Sequence, residues 1–154
     1  MVDAQYTPAQ ILEWLSQVPD PEIPVLTITD LGIVRDVDCS AGVTVSLTPT
    51  YSGCPATEAI EASVAATLQE HGVDDVRIKR VLSPPWTTDW ISEAGRKKLT
   101  VYGIAPPERR DRPLACPRSD SSNTELVSEF GSTACKASYR CIDCLEPFEY
   151  FKCL

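Results

Sequence analysis

Cys54 is the residue whose position most directly suggests chemistry, because it lies between a predicted strand and a predicted helix. The alternating run Val43–Leu47 precedes it, and apolar residues at helical spacing follow it from Ile60 to Leu68. Pro55 suits the first turn of a helix. Unpaired amide N–H groups and the positive end of the helix dipole favour a thiolate there. The local pattern therefore fits a nucleophile or soft-metal ligand, and it fits equally well a small apolar residue packed beneath the helix.

The C-terminal segment contains a second concentration of candidate ligands. Five of the seven cysteines lie there: Cys116, Cys135, Cys141, Cys144 and Cys153. Cys141-Ile142-Asp143-Cys144 is a complete Cys-x-x-Cys knuckle, which can present two thiolates to one metal ion. The knuckle that begins at Cys116 is half complete, because Ser119 stands where the pattern requires a cysteine. Cys116, Cys141 and Cys144 are thus predicted to bind a metal, and zinc is expected although Ser119 weakens that expectation.

The fourth ligand of this predicted site has several candidates. Cys135, Asp120 or a water could complete the set, or the site could stay empty. In one interpretation the metal is a staple that folds a segment too small to bury a core of its own. In the other, Cys135 and Cys153, which a plain zinc ribbon does not need, hold an iron–sulfur cluster or exchange electrons. The staple is the favoured interpretation.

A proline-rich acidic loop spans residues 20–32 and contains Asp20, Glu22 and Asp30. These carboxylates could be ligands or general bases, but carboxylates in turns more often accept hydrogen bonds from backbone N–H groups. We therefore expect Asp20, Glu22 and Asp30 to cap the backbone. A second unusual segment contains Trp86 and Trp90, and it is predicted to be a lid over the core, a partner surface or a packed corner.

The elements that must position these residues follow the order helix, strand, strand, helix, strand, helix. The predicted helices are 8–18, 55–71 and one that opens near residue 92, and the predicted strands are 33–37, 43–47 and 76–82. This order predicts a compact α/β (α+β) domain over residues 1–104, with a small mixed three-stranded sheet and flanking helices. Residues 105–115 are predicted to be a linker. Residues 116–154 are predicted to be a small β-rich, zinc-ribbon-like module, with strands within 124–130, 137–140 and 148–151.

Composition and charge argue against nucleic-acid-binding, secreted and membrane-spanning proteins. The chain has 154 residues and a formal charge of −8, and an acidic chain repels phosphate backbones, so nucleic acid is not an expected partner. The first twenty residues lack the basic start and apolar run of a signal peptide. No apolar segment approaches the roughly 20 residues that span a bilayer. We expect a soluble cytoplasmic protein without a membrane partner, in which cysteines favour metal or redox chemistry over disulfides.

A thiol enzyme with a Cys–His pair is disfavoured. His71 is the single histidine, and it lies at the far end of the helix that follows Cys54. That separation is about 25 Å at 1.5 Å per residue, so the two side chains cannot pair within this helix.

Three separated motifs resemble the MIP18 family (the DUF59 domain), whose members are associated with iron–sulfur cluster assembly. They are Asp20–Pro24 with Asp30–Val34, then Leu47–Pro55, and then Pro84–Trp86. The resemblance implies that Cys54 is the family's reactive cysteine and hands over iron or an iron–sulfur unit. Asp20, Glu22, Asp30 and Thr50 would form its supporting loop. One cysteine cannot hold a cluster alone, so a second chain, for example in a homodimer, or other ligands would be needed.

The C-terminal segments 128–141 and 148–153 resemble the D subunits of phenylacetyl-CoA epoxidase, a multicomponent di-iron monooxygenase system of aerobic phenylacetate breakdown. The resemblance implies a non-catalytic accessory or maturation factor, with the oxygenase or reductase subunits of that system as partners. The alternative is a structural docking protein within the complex, with a tail that is stapled by a metal.

Overall fold

The structure, a computed structural model, describes residues 5–50, 56–107 and 114–152. It divides into two compact units, residues 1–92 and residues 93–154. Within the described residues, every helix is too short or too polar to span a bilayer.

The N-terminal unit begins with helix α1, Pro8–Leu15. Thr7 and Gln10 form the predicted capping box, in which the Gln10 amide donates to Thr7 Oγ1 over 3.3 Å and the Thr7 amide donates to Gln10 Oε1 over 2.9 Å. The helix ends three residues earlier than predicted, since Val18 already donates to the Leu15 carbonyl in a turn.

A mixed three-stranded sheet lies at the centre of this unit. Strands β1 (Val34–Asp38), β2 (Val43–Leu47) and β3 (Val76–Arg80) lie in that order, with β1 antiparallel and β3 parallel to β2. Helix α2, Ala56–Glu70, connects β2 to β3, as a parallel pair requires. The predicted fold class is confirmed. The buried core alternates along β2 and follows one face of α2: Val43, Val45, Leu47, Ile60, Val64 and Leu68.

The two tryptophans belong to a packed corner. Trp86 is buried, and its indole Nε1–H donates to the Leu31 carbonyl over 2.7 Å. The Ser92 amide donates to the Asp30 carbonyl over 2.8 Å, which fixes the chain on the other side of the short 3₁₀ helix Thr88–Trp90. The corner therefore joins the segment 30–32 to the segment 86–92.

Gly32 allows this close approach. Its φ is +71°, and a Cβ at this position would lie 2.5 Å from the Trp90 carbonyl oxygen. The Arg35 guanidinium lies 3.5 Å from the centroid of the Trp90 ring, a cation–π contact at the edge of the same corner. Only glycine fits here.

The C-terminal unit contains helix α3, Glu93–Tyr102, and a four-stranded sheet. Its strands are β4 (Ile104–Ala105), β5 (Thr124–Ser128), β6 (Lys136–Cys141) and β7 (Pro147–Phe151), in the order β4-β7-β6-β5. The three ribbon strands were predicted, whereas β4 was not. The last helix, which the sequence suggested as part of the N-terminal domain, groups with this unit.

Candidate metal centre

Three cysteine thiols converge in the C-terminal unit. The Sγ atoms of Cys116, Cys141 and Cys144 all lie within 4.8 Å of one another, and those of Cys116 and Cys144 are 3.8 Å apart. Thiolates bound to one tetrahedral zinc at about 2.3 Å are about 3.8 Å from each other. The spacing and the donor type therefore fit one thiophilic metal ion.

The first knuckle is a tight turn that begins at Cys116. The Cys116 amide donates to the Ser121 carbonyl over 2.8 Å, and the Asp120 amide donates to the Cys116 carbonyl over 2.9 Å. Asp120 completes the turn with a φ of +59°, a conformation that aspartate tolerates better than most residues. The turn buries the Cys116 side chain and leaves Ser119 exposed.

The second knuckle begins at the last residue of β6. The Cys141 amide donates to the Glu146 carbonyl over 3.0 Å, and Leu145 has a φ of +63°. This turn directs the Cys144 amide at Cys141 Sγ over 3.5 Å. Cys141 is fully buried, whereas Cys144 is partly exposed.

Asp143 connects the two knuckles. Its carboxylate accepts hydrogen bonds from the Ser121 hydroxyl and, over 3.1 Å, from Asn123 Nδ2. The Ile142 amide also donates to the Asn123 carbonyl over 2.8 Å. The bonds from Ser121 and then Asn123 hold the pKa of Asp143 below its usual value. This residue was not among those predicted from the sequence, and only its polarity inside the knuckle could have drawn attention to it.

Hydrogen bonding favours a thiolate at Cys141. The Cys144 amide, and after it the Ser119 hydroxyl, lower the pKa of Cys141 to about 6. A backbone hydrogen bond at Glu146 acts to lower the pKa of Cys144, but burial and its thiol contacts with Cys141 and Cys116 outweigh it and raise that pKa. One thiol is thus ready to ligate, and metal binding would displace the remaining protons.

Two other predicted ligands, Cys135 and Asp120, are not part of this group. Cys135 is buried, and its Sγ lies 3.0 Å from Thr133 Oγ1; the structure does not bring it into the three-cysteine group. Asp120 is exposed at the turn and is likewise not one of the grouped side chains. Cys153 lies outside the described residues.

Cys54 also lies outside the described residues, so its predicted role stays a prediction. Of its predicted supporting residues, Glu22 and Thr50 are half-buried. Thr48, which follows β2, has a buried hydroxyl with no hydrogen-bond partner among the residues that the structure describes. A buried hydroxyl without a partner is uncommon, and no pattern in the sequence pointed to this one.

Two of the three loop carboxylates, Asp20 and Asp30, cap the backbone, which confirms the prediction for these two residues. Asp20 is buried, and its Oδ2 accepts from the Glu22 amide over 2.9 Å and from the Ile23 amide over 2.7 Å. Asp30 Oδ2 accepts from the Thr27 amide over 3.0 Å, and the Asp30 amide donates back to Thr27 Oγ1 over 3.1 Å. These bonds give the loop a defined shape.

His71 has a structural environment. Its ring stacks on Trp14 with a centroid separation of 4.3 Å and an angle of 3° between the planes. It therefore links the end of α2 to α1.

Two family models match this chain in succession. Residues 8–79 match the model described as iron–sulfur cluster assembly protein, and residues 105–152 match the model described as PaaD zinc beta ribbon domain. The first match covers the mixed sheet with its helices, and the second covers the three-cysteine group.

Relatives and solved structures agree with this division. A protein of Escherichia coli (strain K12), named provisionally as the D subunit of 1,2-phenylacetyl-CoA epoxidase, is 50% identical over 98% of this chain and 98% of its own length. A protein of Porphyromonas gingivalis named Fe-S protein maturation auxiliary factor is 38% identical over 60% of this chain and 90% of its own. The crystal structure of a DUF59 domain from Bacillus anthracis matches with a TM-score of 0.56 and 28% identity, over 61% of this chain and 92% of that one.

Proposed function

We propose that this chain, which belongs to the family of the D subunit of 1,2-phenylacetyl-CoA epoxidase, is a non-catalytic factor that helps to assemble the metal centres of that enzyme system. Its clients would be the oxygenase or reductase subunits. The role requires reduced thiols, as the cytoplasm provides.

One observation carries the proposal: an iron–sulfur assembly module and a zinc-ribbon module occur in one chain that matches the named relative from Escherichia coli over almost its full length. The first module is shared with proteins named as Fe–S maturation auxiliary factors. Those relatives are shorter and match about 60% of this chain, so they do not cover the second module. A general assembly activity would thus be directed to one client system by the added module.

Cys54 would carry the assembly step. A cysteine at a helix start is favoured as a thiolate, and a thiolate binds iron and iron–sulfur units. A single thiolate holds such a unit weakly, which suits a transient carrier. A second copy of the chain or the client itself would supply the other ligands.

Cys116, Cys141 and Cys144 would hold zinc in the C-terminal unit. Zinc has no redox chemistry, and bound by thiolates it stabilises small modules that lack a large core. Around the cysteines, the apolar cluster of this unit is small: Ala105, Cys116, Cys141 and Phe148 are buried, with Leu114, Tyr139, Cys144 and Tyr150 packed against them. The metal would supply folding energy that this cluster cannot.

The second candidate function, structural docking within the complex, is favoured by the exposed apolar side chains of the C-terminal unit. They include Val101, Tyr102, Leu126, Val127, Phe130, Ile142 and Leu145. Tyr102 and Val127 also line a groove of about 500 Å³, together with Tyr139, Phe148 and their neighbours. Apolar side chains exposed beside a groove commonly contact another protein.

Co-expression separates the two candidates. The epoxidase subunits would be produced with and without this chain, purified anaerobically, and analysed for iron in the oxygenase and for cluster in the reductase. The assembly role predicts metal-poor clients without the chain and no need for the chain in the purified active enzyme. The docking role predicts metal-replete clients, with this chain in stoichiometric complex with them.

A further inference from the structure

We propose that the metal held by Cys116, Cys141 and Cys144 keeps one exchangeable, solvent-facing coordination position at Ser119, and that this position binds an external thiolate. The inference rests on the metal-binding part of the proposed function and is independent of Cys54. The open position would be a binding site for a ligand, whereas a metal that is closed in by four thiolates has no such position.

Ser119 occupies the sequence position of the missing knuckle cysteine, and its hydroxyl lies against one of the three thiols. Ser119 Oγ lies 3.4 Å from Cys141 Sγ. An oxygen bound at about 2.1 Å and a sulfur bound at about 2.3 Å to one tetrahedral ion are about 3.6 Å apart. The hydroxyl thus stands at ligand spacing from the Cys141 thiol.

The two sides of the group differ in exposure. Cys116 and Cys141 are 1% and 0% exposed, so their side of a bound ion is closed by protein. Ser119 and its neighbours Arg118 and Asp120 are exposed, so the fourth corner faces water. Structural zinc sites are closed by four protein ligands, and a site with three strong ligands keeps a position for an incoming one.

The chemistry of the four donors defines the incoming ligand. Three thiolates select a thiophilic metal, whereas a neutral hydroxyl is a poor ligand for such a metal. A thiolate from solution or from another protein therefore displaces Ser119 readily. Asp143 does not compete, because its two carboxylate oxygens are engaged by Ser121 and Asn123.

Cobalt(II) is a suitable probe metal, since its thiolate charge-transfer absorbance grows with the number of bound sulfurs. The full chain would be loaded with one equivalent of Co²⁺ and titrated with 2-mercaptoethanol. Wild type is expected to begin at three-thiolate intensity and to rise by about a third as the fourth sulfur binds. Ser119→Cys should begin at the higher intensity and not respond, and a chelator should remove its cobalt at least several-fold more slowly.

Two further variants make the result decisive. Ser119→Ala should bind the thiol at least as tightly as wild type, because the competing hydroxyl is gone. Cys141→Ala should lose the charge-transfer bands, which assigns them to this site. A wild-type spectrum that does not respond to thiol, or one that already has four-thiolate intensity, would overturn the proposal. Absence of cobalt binding in wild type but not in Ser119→Cys would also overturn it, and none of these outcomes depends on epoxidase maturation.

Discussion

The indole N–H of Trp86 donates to the carbonyl of Leu31 over 2.7 Å, and this bond joins two sequence motifs 55 positions apart. Leu31 precedes the glycine that lets the chain pass close to Trp90, and Trp86 follows two prolines. Packing of the corner thus accounts for the residue types that carry the family resemblance in these two segments. These contacts fix the loop that contains Asp20 and Asp30, which, together with Thr50, is the described part of the predicted Cys54 site.

Gly32→Ala tests this corner. The new Cβ would require an unfavourable positive φ, at about 1–2 kcal/mol, and would collide with the Trp90 backbone, at about 1–3 kcal/mol more. We expect a loss of roughly 2–5 kcal/mol in the free energy of unfolding, measured by urea denaturation.

Gly42→Ala is the matched control, because Gly42 has a φ of +90° and no atom within 4 Å of the added Cβ. Gly42→Ala should lose only the free energy that the positive φ costs, because its added Cβ collides with nothing. Equal losses in the two variants would contradict the close contact of Gly32 with Trp90.

Thr48→Val should stabilise the N-terminal unit. The Thr48 hydroxyl is buried without a partner among the described residues, so its removal relieves a desolvation cost of about 1 kcal/mol. Thr27→Val is the contrasting variant, since Thr27 Oγ1 accepts from the Asp30 amide over 3.1 Å, and its loss should destabilise the fold. Thermal unfolding would report opposite shifts, and a destabilised Thr48→Val would indicate a bound partner for that hydroxyl.

Cys144→Ala should abolish metal binding in the C-terminal unit. Two thiolates do not hold a structural metal, and strands β5–β7 should then lose hydrogen-exchange protection. Cys144 is partly exposed, so lost packing contributes little. Ile142→Ala, in the same knuckle, should retain the metal. The test is the metal content of both variants and of wild type after chelation. A metal-replete Cys144→Ala would contradict the assignment of Cys144 as a ligand.

Glu149→Gln should reduce stability in a pH-dependent way. Burial acts to raise the pKa of Glu149, but bonds from Ser132 and the charge of Lys136 outweigh it and lower that pKa. The ionised carboxylate therefore contributes stability above the ordinary pKa of glutamate, and this contribution is lost as the pH falls through the lowered folded-state value. Since the Lys136 side chain is 5% exposed, leaving it unpaired should cost about 1–3 kcal/mol at neutral pH.

The check is urea unfolding of both proteins from neutral to acidic pH, where the difference should shrink. Glu125→Gln is the control, because the Glu125–Arg140 pair is about half exposed and should be worth at most about 1 kcal/mol. A pH-independent difference for Glu149→Gln would be inconsistent with the lowered pKa.

The elements with a strong period could be predicted from the sequence. Val43–Leu47 alternates and α2 has a long apolar face, so both follow from local pattern. The two-residue strand β4 has no period of its own, and it exists only because it pairs with β7 more than 40 positions later. The pattern of neighbouring residues does not reveal a strand partner that lies so far along the chain.

The three-cysteine group could be predicted only in part. One complete Cys-x-x-Cys knuckle and one half-complete knuckle identify Cys116, Cys141 and Cys144, because this spacing depends on local turns. The separation of Cys135 from them and the bridging role of Asp143 depend on how two turns meet in space, which spacing alone does not determine.

The proposed function requires that Cys54 delivers metal to the epoxidase. The most direct test is the iron and cluster content of oxygenase and reductase purified from cells that carry Cys54→Ala in place of the wild-type chain. Cys39→Ala is the matched control, because Cys39 is a buried cysteine in the β1–β2 loop with a pKa raised by burial, unsuited to ligation. We expect metal-poor, weakly active clients with Cys54→Ala and normal clients with Cys39→Ala. Fully loaded and active clients with a stably folded Cys54→Ala protein would contradict it.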